Sequence, residues 1–180
     1  MVTVAAWPRW CWSPQVVDAV RPLPVVAAGG IFDGRGLAAA FVLGAVGVNV
    51  GTRFLASRES TISDDYKQAI LRAASEDAVK FDVLNDLLPS PGTKGYGTVL
   101  RSVRTPFIDE FEAQPELAPR DHKRFLGILR ASIQAGNVHE VMPTAGQTAG
   151  GIRDVLSAAE IVQRMVSEAE TALAGAPRRV

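Results

Sequence analysis

The residues of this chain best placed to do chemistry are glycines. An apolar run at 24–28 breaks into Gly29-Gly30, then Asp33, then Gly34-Arg35-Gly36. A second apolar run at 46–50 ends in Gly51-Thr52-Arg53. Glycine lets a backbone approach a ligand that a side chain would hold away, and bare amide N–H groups suit the oxygens of a phosphate. Three readings compete. The simplest is a tight turn after each strand, which calls for glycine without any ligand. The second is a dinucleotide site, because Gly34-Arg35-Gly36-Leu37-Ala38-Ala39 satisfies G-x-G-x-x-A. Against it, Gly30 to Asp33 intervene between Gly29 and the pattern. The next strand also ends in Gly-Thr-Arg, where an acid for the ribose hydroxyls belongs, and only Arg53 would suit a 2′-phosphate. The third reading is a phosphate cup shared by two neighbouring strand ends. Gly29 and Gly30 form one wall and Gly51 and Thr52 the other, with "TRFLAS" opening a short helix. It accounts for both loops at once and is preferred.

The remaining candidates are weaker. His122 sits in a charged run at a helix start and reads as a solvated face; His139 lies nearer the glycine-rich segment at 145–151. Ser57 and Ser60 have no histidine or acid placed to activate them. No His, Cys or carboxylate pair has metal-ligand spacing. Arg53 suits either a phosphate or a carboxylate in the wall behind the loop. Tyr96, among the glycines of the 88–98 segment, reads as part of a surface loop or a lid.

The elements that position the glycines follow from periodicity. Ser13-Pro14 predicts a helix start, with Pro at the first helical position, and Arg21-Pro22 its end. "LPVVAA" and "VGVNV" read as short strands buried on both faces, and "GRGLAAAFVLGA" between them as a helix capped by Asp33 and ended at Gly44. Strand, helix, strand is a βαβ unit with parallel pairing, which brings the C-terminal ends of both strands to one edge. Farther along, Ser63 caps a predicted helix to Ser75, and Val79, Phe81 and Val83 alternate as in a half-buried strand. Residues 88–98 read as a loop and 99–112 as a helix. Another helix is predicted over Arg120–Ala135, with Phe125, Leu126, Leu129 and Ile133 inward and Gly136 as its stop. Ser157 and Glu160 form a capping box for a last helix to about Leu173, carrying Ile161, Val162, Met165 and Val166.

Composition sets bounds. The chain has 180 residues, 47% of them hydrophobic, enough for one core or slightly more. Lysine and arginine (19) balance aspartate and glutamate (19), so nothing favours nucleic acid or an anionic membrane. The single Cys11 rules out an internal disulfide framework, and no apolar run nears the ~18 residues of a membrane helix. A cytoplasmic protein with no nucleic-acid or membrane partner is expected.

The stretch "PVVAAGGIFDGRGLAAAFVLGAVGVNVGTRFLASRES", residues 24–60, closely resembles the flavin-phosphate segment of the nitronate monooxygenases, also called the 2-nitropropane dioxygenase family. The flavin-dependent enoyl-ACP reductases are near relatives with a similar segment. "MPTAGQTAGGIRDVLSAAEIV", residues 142–162, resembles the family's Ala-Gly-Gln motif, and "SPQVVDAV" resembles the helix before the seventh barrel strand. The resemblance spans roughly residues 13–173. It implies a (β/α)8 barrel that binds FMN and oxidises alkyl nitronates with O2. Ala28, Gly29, Gly30, Gly51 and Thr52 would hold the FMN phosphate, and Gln147 would reach the flavin or the mouth of its pocket. Asn49 stands where family members often have glutamine. The family's histidine lies in an upstream Glu-Ala-Gly-Gly-His-like segment with no counterpart here, so no catalytic residue is assigned. An enoyl-ACP reductase is the alternative within the family, and a non-catalytic remnant the alternative outside it.

The expected fold is therefore α/β, the last two strands of a TIM (β/α)8 barrel plus a mostly helical accessory region. A whole barrel takes about 250 residues, so an incomplete one is expected. Residues 1–12, which hold all three tryptophans, match nothing in the family and are expected to be out-of-frame or wrongly started coding sequence. Residues 13–62 would form the barrel part with the phosphate loops, 63–142 the accessory region, 143–175 the Ala-Gly-Gln loop and last helix, and 176–180 a tail. Two strands alone leave sheet edges unpaired, so self-association and weak FMN binding are expected.

Overall fold

A computed structural model describes residues 2–4, 9–81, 100–113 and 119–175. The chain divides into two compact units, one formed by residues up to Thr61 together with those from Gly151 onward, the other by Ile62–Gly150.

The first unit is built on a parallel sheet of three strands, β1 (Val2–Val4), β2 (Val25–Ala28) and β3 (Gly47–Asn49), with β2 central. Val4 pairs with Ala27 on one side, and Ala28 with Asn49 on the other. The βαβ unit is thus present, but among the described residues the sheet has three strands where two were expected. The third comes from the segment expected to be anomalous. Val2-Thr3-Val4 is β-branched throughout and fits an extended, paired backbone. Helix α1 (Arg9–Val20) also begins earlier than Ser13-Pro14 predicted, and Pro14 lies inside it. A proline there forfeits one backbone bond, to the carbonyl of residue 10, and the helix runs through that loss.

Helix α2 (Gly34–Val42) starts as the sequence predicts, with the Asp33 side chain accepting from Gly36 N at 3.0 Å. Gly44, at φ 93°, follows its end in the left-handed region that glycine tolerates. The short helix α3 (Thr52–Leu55) follows β3 directly. The last helix of this unit, which runs over Ala158–Ala174, packs along α2 and closes the core. Leu37, Ala38 and Ala40 meet Ile161, Met165 and Ala169 there, over Ala27 and Ile31. Ile161 and Met165 are buried as expected and the stripe continues to Ala169. Val162 and Val166, expected beside them, are exposed because the buried row runs straight along i, i+4.

This last helix carries the predicted capping box. Ser157 Oγ accepts from Glu160 N at 3.2 Å, and Glu160 accepts from Ser157 N at 2.7 Å. The two bonds that the carboxylate accepts, from Ser157 N and from the Ser157 hydroxyl at 2.7 Å, hold the Glu160 carboxyl below its ordinary range. A depressed native value means that the contribution is present above the ordinary carboxylate pKa and is lost as pH falls through the native one. Ser157→Ala is expected to cost about 1 kcal/mol in urea unfolding at pH 7, with a smaller cost in acid.

In the second unit, helix α4 (Asp64–Arg72) is capped by Ser63 and buries Tyr66 and Ile70. Strand β4 (Ala78–Phe81) pairs antiparallel with β5 (Leu100–Val103). The helix expected over 99–112 is therefore two elements, β5 and helix α5 (Pro106–Glu112). Thr105-Pro106 is the break, because a residue before proline is driven to extended backbone and Pro suits the first helical position. Thr105 caps α5 by accepting from Ile108 N. Helix α6 (Pro119–Ala135) ends at Gly136, φ 73°, as predicted. Phe125 and Leu129 are fully buried among Phe107, Ile108, Phe111 and Met142. Ile133 is half exposed, a correction to the predicted face. The stripe turns instead to Ser132, which is tolerated inside because its hydroxyl donates to Leu129 O at 2.8 Å. Helix α7 (Val138–Val141) and a 3-10 helix (Gln147–Gly151) complete the order before the last helix, labelled α8. The 88–98 loop with Tyr96 lies outside the described residues.

Candidate functional site

The pairing register assembles the two glycine loops. Because Ala28 lies opposite Asn49 in adjacent parallel strands, Gly29-Gly30 and Val50-Gly51 leave the same edge of the sheet side by side. Strands so paired lie about 4.8 Å apart, within the span of one phosphate group. Gly29 and Gly30 have φ of 81° and 70°, which other residues rarely adopt, and both are exposed. Gly51 has φ −93°, so its need for glycine is not conformational. A Cβ built there meets nothing within 4 Å and would project into open space. Gly51 O accepts from Phe54 N at 2.9 Å and Leu55 N at 3.1 Å, which winds α3 directly onto the loop. Asn49 is exposed at the end of β3.

The Gly-Arg-Gly stretch has another role. A Cβ on Gly34 would run into Glu168 Cβ and into the Met165 and Ala169 backbone. Gly34 N donates to Glu168 Oε2 at 2.9 Å, and Asp33 takes Gly36 N, so two carboxylates already occupy the start of α2. A pyrophosphate would meet negative charge where the dinucleotide reading needs positive dipole. That reading is incompatible with this geometry, and Gly34 serves the approach of α2 to α8.

The alternatives for Arg53 resolve too. It is 5% exposed, and its guanidinium donates to the Asp154 carbonyl at 2.8 Å and to Asp154 Oδ1 at 2.7 Å. Burial pulls the guanidinium below its ordinary pKa and Asp154 opposes that, while an arginine stays charged throughout. The other Asp154 oxygen accepts from Arg164 at 2.7 Å. These groups line a cavity of about 620 Å³ shared by Phe32, Arg35 and Glu168. Nothing in sequence spacing signals the contact, since Asp154 is 101 residues from Arg53.

The structure places the other candidates as follows. Gln147 is exposed at the start of the 3-10 helix, in the second unit. His139 stacks on Tyr66 with centroids 5.7 Å apart and lies 3.2 Å from Ser63 Oγ, within the second unit. His122 lies half-buried on α6. Ser57 is buried and bridged through its backbone to Leu156. Among the described residues there is no group of three His, Cys, Asp or Glu able to hold a metal, and no helix long and apolar enough to cross a membrane.

Comparison with known proteins agrees with the segment's character. The nitronate monooxygenase family profile matches residues 11–168. The chain is 30% identical over 185 residues to a Rhodococcus jostii protein named (3aS,4S,5R,7aS)-5-hydroxy-7a-methyl-1-oxo-octahydro-1H-indene-4-carboxyl-CoA dehydrogenase, covering 87% of this chain and 52% of that one. It is 33% identical over 159 residues to a Staphylococcus saprophyticus protein named "Probable nitronate monooxygenase", covering 87% and 41%. Among solved structures, FabK from Thermotoga maritima superposes with a TM-score of 0.75 at 31% identity, over 95% of this chain and 51% of that one. Nitroalkane oxidase from Streptomyces ansochromogenes superposes at 0.68 and 27% identity, over 92% and 44%. The chain spans about half the length of the curated relatives it matches. The chain belongs to the nitronate monooxygenase family.

Proposed function

We propose that this chain carries the phosphate-binding part of a flavin-dependent oxidoreductase, with FMN as cofactor and a small alkyl nitronate and O2 as substrates. The observation that carries the reading is the register of β2 and β3, which sets Gly29, Gly30 and Gly51 at one sheet edge. The residues fit the group: Gly51 leaves open the volume that a side chain would fill, and residues 28–30 and 51–52 would, by their types, offer backbone N–H groups and the Thr52 hydroxyl. Ala28, Gly29, Gly30, Gly51 and Thr52 would hold the phosphate, and Gln147 would act at the flavin or pocket mouth. Bound FMN supplies the electron-transfer chemistry, which the side chains here cannot. The chain's own residues bind and orient. The backbone cup fixes one end of the cofactor, and the small residues keep its approach clear.

Titration of the purified chain with FMN, followed by flavin fluorescence, tests this. Gly51→Ala is expected to leave the unfolding midpoint unchanged and to weaken FMN binding by about tenfold or more. Binding equal to the parent, or no FMN binding by the parent chain, would overturn it. The likeness to FabK and to a CoA-thioester dehydrogenase supports a second reading, reduction of an enoyl thioester with NAD(P)H. Oxygen consumption with propyl nitronate supports the first, and NAD(P)H oxidation with an enoyl thioester the second. Activity in neither assay overturns both for this chain. The sheet ends at β1 and β3 among the described residues, so the isolated chain is expected to self-associate in sedimentation velocity. A monomer would contradict that.

A further inference from the structure

Arg53 follows Gly51 and Thr52 directly, and its charge is engaged by Asp154. The contact is one of several along the same two segments. Ser57 bridges Leu156, and Arg58 N donates to Leu156 O at 2.9 Å. Ala158 N donates to Glu59 Oε2 at 2.8 Å, and the Arg58 guanidinium lies 3.2 Å from Glu160. Residues 53–59 are therefore tied along residues 154–160, and Arg53 is the buried end of that seam. We propose that Arg53 is a positioning residue for the phosphate cup, holding the Gly51-Thr52 turn in binding geometry through its two bonds to Asp154.

This proposal rests on the flavin-phosphate reading of the cup. Backbone donors hold an oxyanion well only if their spacing is set before it arrives, because ordering a loop on binding subtracts from affinity. A guanidinium can set that spacing because its rigid fork takes a carbonyl and a carboxylate oxygen together, whereas an ammonium is a single point charge. With its charge neutralised by Asp154, Arg53 contributes geometry to the cup rather than attraction for the phosphate. Asp154 is held in turn by Arg164.

The test compares the full chain with Arg53→Lys and Asp154→Asn, using FMN, riboflavin and inorganic phosphate as ligands. Flavin binding is read by fluorescence, and phosphate binding by amide resonance shifts at Gly29, Gly30, Gly51 and Thr52. Both variants should lose about tenfold in affinity for FMN and for phosphate, with riboflavin, which lacks the phosphate, changed by less than about twofold. A parallel loss for FMN and riboflavin would reduce Arg53 to a fold-stabilising role, and unchanged FMN and phosphate affinities would remove the clamp altogether. If the parent binds phosphate at these amides but neither flavin, the flavin reading fails while the phosphate arm still decides the clamp. No phosphate binding by the parent overturns both. Asp154→Asn keeps the bond to the residue-154 carbonyl, so it carries the comparison if Arg53→Lys does not fold.

Discussion

Gly34→Ala is expected to destabilise the chain by about 2–4 kcal/mol, the reverse of what the same substitution does in an ordinary helix. Alanine is favoured over glycine in a helix interior by up to about 1 kcal/mol, so propensity alone predicts a more stable protein. The neighbours decide otherwise. The added carbon would overlap the Met165 carbonyl oxygen and the Ala169 amide nitrogen, both backbone atoms of α8, as well as Glu168 Cβ. A backbone cannot swing aside as a side-chain tip can, so α2 and α8 must separate. Their separation opens the contacts of Leu37 and Ala38 with Ile161 and Met165. Gly36 is the internal control. It lies two residues on in the same motif, and its added carbon would press only on the Ile31 side-chain methyl, at 3.3 Å, with Ile31 Cα at 3.5 Å and Asp33 Oδ1 at 3.7 Å in ordinary contact. Gly36→Ala should fall within about 1 kcal/mol of the parent, since a small shift of Ile31 offsets the propensity gain. Urea unfolding followed by circular dichroism measures both. A Gly34→Ala protein as stable as the parent would remove the packing account of this glycine and reopen the dinucleotide reading that the geometry excludes.

What the sequence made legible divides by the range of the physics involved. Ser63, Asp33, Ser157 and Gly136 act within one helical turn, and each stands where its local signal put it. The glycine loops were legible for a related reason. Two short strands around one helix admit one parallel arrangement, and that arrangement fixes which loops are neighbours. Strand β3, expected to be buried on both faces, is nevertheless half-buried with Asn49 exposed, since no strand covers its outer edge among the described residues. Failures came where a distant partner overrides local preference. Leu100–Val103 is a strand because Ala78–Phe81 lies beside it, and Val2–Val4 because Val25–Ala27 does. Ser13-Pro14 looked like a helix start and was passed over by a helix already under way. Ile133 was placed inward by extending a 125–129 stripe one step too far along the wrong row. At the site, Glu168 and Asp154 were invisible because they meet α2 and α3 from 134 and 101 positions away along the chain. Gly34 and Gly36 looked alike in sequence and differ entirely in what surrounds them.

The second large effect is an asymmetry across the Arg53–Asp154 pair. Asp154→Ala is expected to cost about 2–4 kcal/mol, and Arg53→Met no more than about half of that. The two partners differ in burial. The Arg53 side chain is 6% exposed and that of Asp154 38%. Removing the aspartate leaves a buried cation with only the residue-154 carbonyl as acceptor, and a stranded buried charge is costly. Asp154 is partly solvated, which holds the figure below the roughly 3–5 kcal/mol of a fully buried pair. Removing the arginine strands nothing comparable, since the carboxylate keeps Arg164 at 2.7 Å and water, and methionine fills much of the vacated volume. The double substitution Arg53→Met with Asp154→Ala should therefore be more stable than Asp154→Ala alone, because it withdraws the stranded charge. Urea unfolding of the four proteins closes the cycle, and equal costs for the two single substitutions would show that Arg53 does not depend on Asp154 for its charge. An apolar residue that holds stability nearly as well as Arg53 also sharpens the role of the guanidinium. If methionine keeps the fold while lysine, which keeps the charge, loses phosphate affinity, then what arginine supplies at this position is the geometry of the Gly51-Thr52 turn.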